Sequence, residues 1–477
     1  MQPSIFNVRV PLDDGPHTDG PHTDGPQTDG NDVFMMNTFT DAQVIVGSDV
    51  ARLLDRLTND VAPRLSEEER EAVGTLAEMG FIVESREADR RNVEQFFADV
   101  RADSSDLRVT VLTTLQCNFA CDYCIQGDHD DFNKHAAKMS LETAARVVAW
   151  IEERMDLVRP RKFGLTFFGG EPLLNLPVMY YLAERLWAVC RARGVESRIG
   201  IITNGLHLTT DVVDRLLPFG LVSVKVTIDG DRDTHNRMRP LRGGQPTFDR
   251  IVDNIRAVAD RCQISIGGNF DESSVGSYPD LLAFLREQDF ADKLARVAFK
   301  PIIRGNATQP KGFIPLTPVS GSGASLNGAC MTSAGAACDS SWVLDSHMAL
   351  LREETKRFGF ATMDGVHMGP CEIHKDNAHT IAPDGSLYAC PGFATNAQES
   401  TGHIDGRHDP GRSRAAGRFE RLSAWKECED CAFIPVCAGG CSVASDVQLG
   451  DMNRPNCHKV SFEAGVVSLA REAAARL

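Results

Sequence analysis

Between residues 107 and 304, short apolar segments that end in glycine or polar residues alternate with longer helical segments. The short segments are rich in β-branched and aromatic residues: LRVTVLTT, FGLTFFGG, RIGIITNG, SVKVTIDG, QISIGGNF and RVAFKPII. The longer segments include SLETAARVVAWIEERM and LPVMYYLAERLWAVCRARG. This repeated strand–helix order predicts a parallel sheet in an α/β fold, and six units favour a partial (β/α)6 TIM-like barrel. In such folds the functional residues lie at the carboxyl ends of the strands.

The residues before the barrel predict a small module. Strand-like VFMMNTFTDAQVIVG, which contains a turn, is followed by two amphipathic helices, SDVARLLDRL and SEEEREAVGTLAEMG. The second helix begins with a capping box, Ser66 and Glu69, and ends at Gly80, after which FIVES predicts a strand. Residues 33–100 therefore predict a winged-helix-like module, either a peptide-recognition domain or a packing appendage. Residues 1–32 are expected to give an N-terminal strand and a disordered GPHTD-GPHTD-GPQTD repeat.

The residues after the barrel predict three further regions. Residues 305–365 are rich in Gly, Ser and Ala and predict a bridging region with one helix near DSHMALLREETKRFG. Residues 366–460 carry seven cysteines in a Gly-, Pro- and Asp-rich background, so this domain is expected to depend on inorganic centres for its fold. Residues 461–477 predict a C-terminal helix.

Composition and charge narrow the possible partners and compartment. The 477 residues are 42% hydrophobic and carry a formal net charge of −16, which argues against a nucleic-acid or membrane partner. No apolar run approaches the roughly 20 residues that span a bilayer. The start, MQPSIFNVRVPLDDG, lacks the pattern of a secretory signal, so a cytoplasmic location is expected. In that compartment the 14 cysteines are better explained as metal or cluster ligands than as disulfides.

Three cysteines follow the first barrel strand in TTLQCNFACDYCIQG: Cys117, Cys121 and Cys124. Three thiolates can hold three irons of a four-iron cluster and leave the fourth iron open to a small ligand, whereas such clusters usually take four cysteines. The spacing Cys117-x3-Cys121-x2-Cys124, with Tyr123 before the last cysteine, resembles the signature of radical S-adenosylmethionine (SAM) enzymes. The alternative is a structural zinc site with a distant fourth ligand.

Segments at three later strand ends are similar to SAM-contacting segments of that family: FFGGEPLLN, ITNG and VTIDGDRDTHNRMR. By this resemblance the first binds the SAM amino group, the second lies near SAM, and the third holds the SAM carboxylate. The planar fork of an arginine suits a carboxylate. With Tyr123, the residues concerned are Gly169, Gly170, Glu171, Thr203, Asn204, Thr227 and Arg239.

The resemblance implies a [4Fe–4S] cluster and SAM as cofactors. One electron, from a donor such as flavodoxin or ferredoxin, would pass through the cluster and split SAM into methionine and a 5′-deoxyadenosyl radical. That radical would remove a hydrogen atom from an unactivated substrate carbon. The protein would bind, orient and exclude water, while the cofactor carries the difficult chemistry.

The seven C-terminal cysteines resemble the SPASM extension of peptide-modifying radical SAM enzymes, with a Gly-x4-Cys motif at Gly385 followed by CEDCAFIPVCAGGC. By that resemblance, four of them hold one auxiliary [4Fe–4S] cluster: Cys428, Cys431, Cys437 and Cys457. Three hold the other: Cys371, Cys390 and Cys441. The fourth position of this second cluster is open or filled by Cys330 or Cys338. Other candidate ligands are His367, His374 and His379, and two zinc sites are the structural alternative.

SPASM-type enzymes mostly act on ribosomally made peptides or on protein side chains. Sulfatase-maturing members carry an Asp after the cysteine that corresponds to Cys390, where this chain has Pro391, so formylglycine formation is less expected. The leading hypothesis is a maturase that modifies a ribosomal precursor peptide by a thioether or carbon–carbon cross-link or another oxidation. The alternatives are an enzyme acting on a protein side chain or a cofactor precursor, and a zinc or iron–sulfur protein that only binds peptides.

The pattern names no catalytic acid or base. Asp229, Asp384 and Lys300 lie near strand or motif ends, and we expect them to be structural or surface charges.

Overall fold

The computed structural model describes most of the chain. The described residues are 1–12, 32–59, 64–126, 136–303, 341–363, 365–367, 369–406 and 410–476. Cys330 and Cys338 lie outside them, as does the whole pentapeptide repeat. Across the described ranges, no helix is both long enough and apolar enough to span a membrane.

In the part of the N-terminal module that the structure describes, there are two small sheets and three helices. Strand β1 (Gln2–Pro3) pairs with β5 (Ile82–Val83), and an antiparallel sheet has the order β2 (Asn7–Pro11), β3 (Val33–Asn37), β4 (Gln43–Val46). The helices are α1 (Ser48–Asn59), α2 (Glu67–Glu78) and α3 (Arg86–Ala102). The predicted boundary at residue 33 therefore falls inside a sheet, because β1 and β2 precede it and pair with strands of the module.

Helix α2 begins as its sequence predicts. Ser66 Oγ accepts a hydrogen bond from the N–H of Glu69 at 3.1 Å, and Glu69 Oε2 accepts one from the N–H of Ser66 at 2.9 Å. These bonds satisfy N–H groups that the first turn of a helix leaves free. The helix ends before Gly80, whose φ of +86° suits a glycine. The strand predicted at FIVES is shorter than expected and covers only Ile82–Val83.

Six parallel strands form the centre of the fold in sequence order. They are β6 (Asp106–Leu112), β7 (Lys162–Phe168), β8 (Glu196–Thr203), β9 (Leu221–Thr227), β10 (Gln263–Phe270) and β11 (Leu294–Pro301). The connecting helices are α4 (Leu141–Val158), α5 (Leu176–Arg193), α6 (Thr210–Leu216), α7 (Arg232–Met238), α8 (Phe248–Val258) and α9 (Tyr278–Arg286). The predicted α/β fold with a partial six-stranded barrel is confirmed.

Side chains alternate between the two faces of the barrel strands. Buried apolar residues such as Val109, Leu165 and Val224 form the layer between strands and helices. The intervening positions face the barrel interior and include small or polar residues such as Thr166 and Gly200. The interior is therefore open enough to hold a ligand at the carboxyl ends of the strands.

The barrel sheet continues into the C-terminal region. Strand β12 (Ala378–Ile381) pairs parallel with β6, and β13 (Ser386–Tyr388) and β14 (Gly402–His403) follow antiparallel. One sheet of nine strands thus runs from β11 to β14. The C-terminal cysteine region is therefore joined to the barrel by backbone pairing.

The remaining helices bring the two ends of the chain together. They are α10 (Ser341–Arg357), α11 (Pro410–Glu420), α12 (Ile434–Cys437), α13 (Ser442–Leu449) and α14 (Lys459–Ala474). Helix α14 begins two residues before the predicted C-terminal helix. Its Val466 packs with Phe34 of β3 and with Phe433, which precedes α12. The N-terminal module is thereby docked on the C-terminal cysteine region.

Candidate functional site

The loop after β6 carries the N-terminal triplet, which comprises Cys117, Cys121 and Cys124. Phe119 is fully buried in the barrel core and anchors the loop, and its N–H donates to Cys117 Sγ at 3.4 Å. Burial raises the pKa of Cys117 to about 12 and that of Cys121 to about 11. Iron would have to displace these protons, because cysteine binds metals as the thiolate.

Two glycines at the end of β7 allow the backbone to approach this loop. A Cβ on Gly169 would lie 2.2 Å from the carbonyl oxygen of Thr114, and one on Gly170 would lie 2.2 Å from that of Gln116. The N–H of Gly170 donates to the Thr114 carbonyl at 2.9 Å, and the N–H of Glu171 donates to the Gln116 carbonyl at 2.8 Å. The glycine pair therefore permits hydrogen bonds that fix the loop leading to Cys117.

Glu171 connects the ends of successive strands. Its fully buried carboxylate accepts hydrogen bonds from Thr203 Oγ1 at 2.7 Å, from the N–H of Asn204 at 2.8 Å and from the N–H of Leu173 at 3.0 Å. Burial raises the pKa of this carboxyl, although these bonds oppose the shift. Asn204 Nδ2 in turn donates to Asn118 Oδ1 at 2.8 Å. The carboxylate thus ties β7 and β8 to each other, and Asn204 extends the link to the cysteine loop.

A second buried network surrounds Arg239. Its Nη1 donates to the hydroxyl of Tyr123 at 2.5 Å and lies 3.5 Å from Asp229 Oδ2, which also accepts from the Tyr123 hydroxyl. Asp229 Oδ1 accepts from the N–H of Asn269 at 2.7 Å. Burial raises the pKa of Tyr123 well above its usual value, so this phenol stays protonated and can donate. Asp229 is fully buried and acts as a structural counter-charge, not as a surface charge.

A central cavity of about 230 Å³ lies where the barrel strands end. Its lining includes the N-terminal triplet and every residue that the sequence predicts to contact SAM: Tyr123, Gly169, Gly170, Glu171, Thr203, Asn204, Thr227 and Arg239. The structure therefore brings all of these residues together in one place.

Among the lining residues with polar side chains, sequence reasoning missed three, Gln126, Lys225 and Asn269. Lys225 had a signal, because it stands two positions before Thr227 in a strand and must share its face. Asn269 follows a pair of glycines near the end of β10, a place where the backbone approaches other groups closely. For Gln126 we find no signal in the sequence.

The polar lining fits SAM. Both side-chain polar atoms of Gln126 and the Nε of Arg239 are buried, and none has a hydrogen-bond partner among the described residues. Buried polar groups of this kind are normally satisfied, so they are available to a polar ligand. The three thiols at the edge of the same cavity suit a [4Fe–4S] cluster with one open iron.

Four C-terminal cysteines line a second, smaller cavity of about 60 Å³. This C-terminal quartet comprises Cys428, Cys431, Cys437 and Cys457. Burial raises the pKa of Cys437 to about 12, and the neighbouring Cys431 and Cys457 raise it further. The structure thus brings together the four residues that the SPASM resemblance assigns to one auxiliary cluster.

The C-terminal trio comprises Cys371, Cys390 and Cys441. Burial raises the pKa of Cys390 to about 12; Cys371 and Cys441 raise it further, and the Lys300 ammonium opposes them. Cys390 and Cys441 pack in the same apolar group, and Cys371 acts electrostatically on Cys390, so the trio is also brought together. Its assigned fourth ligand, Cys330 or Cys338, lies outside the described residues.

The three histidines near the trio occupy different surroundings. His367 pairs with Asp41 of the N-terminal module at 2.7 Å, and His379 packs edge-on against Trp150 of α4 with ring centroids 5.1 Å apart. His374 lies in the turn that the first cysteine of the trio begins, and burial lowers its pKa to about 4. Of the three histidines, His374 is therefore the one that lies beside the trio, and its lowered pKa keeps its imidazole neutral at pH 7.

The other two charged residues named from the sequence differ in position. Asp384 accepts hydrogen bonds from the N–H and Oγ of Ser386, both at 2.9 Å, and so holds the turn between β12 and β13. Lys300 instead lines the central cavity. The expectation of a structural charge therefore suits Asp384, whereas Lys300 is placed to contact a ligand.

The family model of the radical SAM superfamily matches residues 111–268, which hold the N-terminal triplet and most of the cavity lining. Residues 111–268 form a radical SAM domain. The protein is therefore an enzyme with a radical SAM domain, and it uses a [4Fe–4S] cluster and SAM.

Relatives and solved structures extend the similarity beyond that domain. The chain is 22% identical to the serine-type anaerobic sulfatase-maturating enzyme of Bacteroides thetaiotaomicron, over 68% of this chain and 80% of that one. It is 23% identical to the sporulation killing factor maturation protein SkfB of Bacillus subtilis, over 36% and 38% of the two chains. A solved structure of native anSMEcpe with bound AdoMet covers 77% of this chain and 99% of its own, with a TM-score of 0.56 and 15% identity, a likeness in fold.

Proposed function

We propose that this protein is a maturase that modifies a ribosomally synthesised peptide, by a thioether or carbon–carbon cross-link or another oxidation. The observation that carries the proposal is the central cavity, whose lining combines the N-terminal triplet with the residues suited to SAM. The similarity to SkfB, described as a maturation protein for sporulation killing factor, supports a peptide as the substrate.

The chain's own residues would bind and orient the cofactors. The N-terminal triplet would hold the [4Fe–4S] cluster, and Arg239 with Thr227 would hold the SAM carboxylate. Tyr123 and Asp229 fix the guanidinium of Arg239 from the other side. When bound, this pair of cofactors supplies a 5′-deoxyadenosyl radical that removes a hydrogen atom from the substrate.

A group of apolar side chains lies between the central cavity and the C-terminal trio. Phe168 and Ile303 line the cavity, and with Leu115 they pack in the same apolar group as Cys390 and Cys441. Such a wall excludes water from a reactive intermediate. A substrate in this cavity would therefore lie between the SAM site and the trio.

We assign two auxiliary [4Fe–4S] clusters to the C-terminal cysteines, one to the quartet and one to the trio. With the N-terminal cluster this gives about twelve irons per chain. The trio's fourth ligand, Cys330 or Cys338, remains part of this proposal. Electrons would come from a flavodoxin- or ferredoxin-type donor.

The N-terminal module would recognise the peptide through strand β4. Among the described residues β4 pairs with β3 alone and is an edge strand. The N–H of Asn37 donates to the carbonyl of Ala42, and hydrogen-bonded pairs alternate in an antiparallel ladder. The N–H groups of Gln43 and Ile45 therefore point away from β3, where an extended peptide can add a strand.

Formylglycine formation is the second candidate, favoured by the sulfatase-maturating relative from Bacteroides. Pro391 argues against it, because it opens a short turn after Cys390 and supplies no carboxylate there. An aldehyde-reactive probe distinguishes formylglycine formation from cross-linking, because formylglycine reacts with the probe and a cross-link does not.

The test is an anaerobic incubation of the iron-loaded protein with SAM, dithionite and the peptide encoded by the neighbouring gene. We expect 5′-deoxyadenosine and a mass change in the peptide. Cys117→Ala should abolish both, whereas Cys262→Ala, at a half-buried cysteine beside the amino end of β10, should keep both.

The peptide-binding alternative without catalysis predicts a different result. Within the described ranges, no three Cys, His, Asp or Glu side chains converge on a position for a single metal ion. Anaerobically purified protein that contains zinc in place of iron, or that never cleaves SAM when reduced, would contradict the proposed function.

A further inference from the structure

Two lysines reach the central cavity from the strands on either side of β10. Lys225 extends from β9 and Lys300 from β11, and both line the cavity. A Cβ on Gly267 of β10 would lie 2.3 Å from Lys225 Cε. The Lys225 side chain therefore crosses β10 at this glycine, which makes room for it.

Neither ammonium has an ion-pair or hydrogen-bond partner among the described residues. Exposed arginines of β6 and β8 each pair with an acid of the same strand, both at 2.6 Å: Arg108–Asp106 and Arg198–Glu196. The two cavity lysines have no such partner among the described residues.

Placing these two positive charges near each other in the cavity is electrostatically unfavourable. Burial lowers the pKa of Lys225 to about 8, and repulsion from Lys300 and Arg296 lowers it further. The chain as a whole has a formal charge of −16, so the basic cavity does not follow from a general excess of lysine and arginine. Neighbouring cations without a counter-charge favour binding of an anion.

The anion that Lys225 and Lys300 would bind is not the carboxylate of SAM. Under the proposed function, Arg239 and Thr227 hold that carboxylate. Lys300 stands three positions before Ile303, which also lines the cavity and packs in the same apolar group as Cys390 and Cys441, so Lys300 lies on the side of the cavity that faces the trio. The substrate would occupy this same side.

We propose that Lys225 and Lys300 bind a carboxylate of the peptide substrate and thereby position the residue to be modified. The carboxylate would belong to an Asp or Glu side chain or to the peptide's C-terminus. This inference rests on the proposed function and narrows its substrates to peptides with an acid near the reacting residue. Charge-assisted hydrogen bonds from two ammonium groups suit such a role.

The test selects peptides by binding, without relying on turnover. Iron-loaded protein with SAM is mixed anaerobically with a pool of short randomised peptides, in versions with free and with amidated C-termini, and the bound fraction is sequenced by mass spectrometry. We expect enrichment of Asp or Glu at a fixed position, or of free C-termini over amidated ones. The two versions of the pool distinguish these sources of carboxylate.

Lys225→Gln and Lys300→Gln should each reduce this enrichment by roughly tenfold or more, the value of a charged hydrogen bond. Lys293→Gln is the matched control, because it removes the same charge next to the amino end of β11, where Lys293 pairs with Asp260 at 2.7 Å. It should keep the enrichment of the unaltered protein. Equilibrium binding of labelled SAM is measured for every variant.

Three results would overturn the inference: no preference for carboxylates in the unaltered protein, a preference retained by both cavity variants, or a loss of SAM affinity in place of peptide selectivity. The last would show that the lysines serve SAM. Failure of the proposed function looks different, because acidic peptides would then be selected but never modified during SAM cleavage.

Discussion

At the scale of single residues, the site depends on glycines, which have no side chain, as much as on the residues whose side chains line the cavity. Gly170 lets two segments of backbone come within hydrogen-bonding distance beside Cys117. Gly267 gives Lys225 its path across β10. The two glycines differ in what an added methyl group would meet, since the first faces a rigid carbonyl and the second a flexible side chain.

Gly170→Ala should destabilise the cysteine loop, because its Cβ would lie 2.2 Å from the Gln116 carbonyl oxygen, which cannot move aside. We expect a loss of about 1–3 kcal/mol of folding stability, typical of overpacking, together with loss of iron. Gly276→Ala is the control, since no atom lies within 4 Å of its added Cβ. Thermal unfolding and iron content check this, and equal values for the two variants would contradict it.

Lys225→Met should raise folding stability at neutral pH. The folded-state pKa of Lys225 is lowered to about 8 from 10.5, so below pH 8 both states are protonated and the fold bears the cost of a charge that the cavity partly desolvates. As pH rises from about 8 to 10.5 the folded state loses its proton first, and the cost disappears. The melting temperatures of variant and unaltered protein should therefore converge across this window. A constant difference at every pH would count against the desolvated charge of Lys225 as the cause.

The sequence identified site residues wherever the signal was local. The cysteine spacing and the motifs at strand ends lie within short segments, and all of those residues line the central cavity. Lys225 was missed because a lysine between valines in SVKVTIDG is typical of a solvent-facing position. Its shared face with Thr227, a predicted SAM contact, was the signal that pointed to the interior.

At the scale of elements, pairing between distant segments was beyond sequence reasoning. Strand β2 pairs with β3 across the pentapeptide repeat, so the module's boundary was placed too late. Strand β12 pairs with β6, which lies far earlier in the chain, and nothing in its four residues indicates this partner. By contrast, the capping box of α2 was predictable because its residues stand three positions apart.

Gln43→Pro tests the role of the β4 edge. Proline removes the N–H that points away from β3, and edge strands tolerate it. We expect about fivefold weaker binding of the neighbouring-gene peptide, the value of one hydrogen bond of about 1 kcal/mol. Gln43→Ala keeps the N–H and should retain affinity. Fluorescence anisotropy with labelled peptide measures both variants, and circular dichroism checks that they fold.

Two results would weigh against strand addition at β4. One is equal affinity of the two Gln43 variants. The other is normal binding by the proline variant together with a loss of binding by the alanine variant, which would assign the effect to the glutamine side chain.

At the scale of the whole molecule, the N-terminal module and the C-terminal quartet share one apolar group. Phe97 of α3 stacks on Trp425 with ring centroids 4.7 Å apart, and Ile434 packs beside them. Arg90 of α3 pairs with Asp430, between two quartet cysteines, at 2.7 Å. A loss of structure in the quartet's loop should therefore also loosen the proposed peptide-binding module.

Cys437→Ala should consequently loosen the N-terminal module as well as remove iron. We expect a loss of about four of about twelve irons, because one cluster loses a ligand. The loop that packs against α3 would lose its inorganic centre, so amide hydrogen exchange in α3 should become faster. Cys117→Ala is the matched control: it removes a similar number of irons, but its loop packs in the barrel core and not against α3. Exchange in α3 that responds equally to both variants, or to neither, would show that the quartet does not order the module.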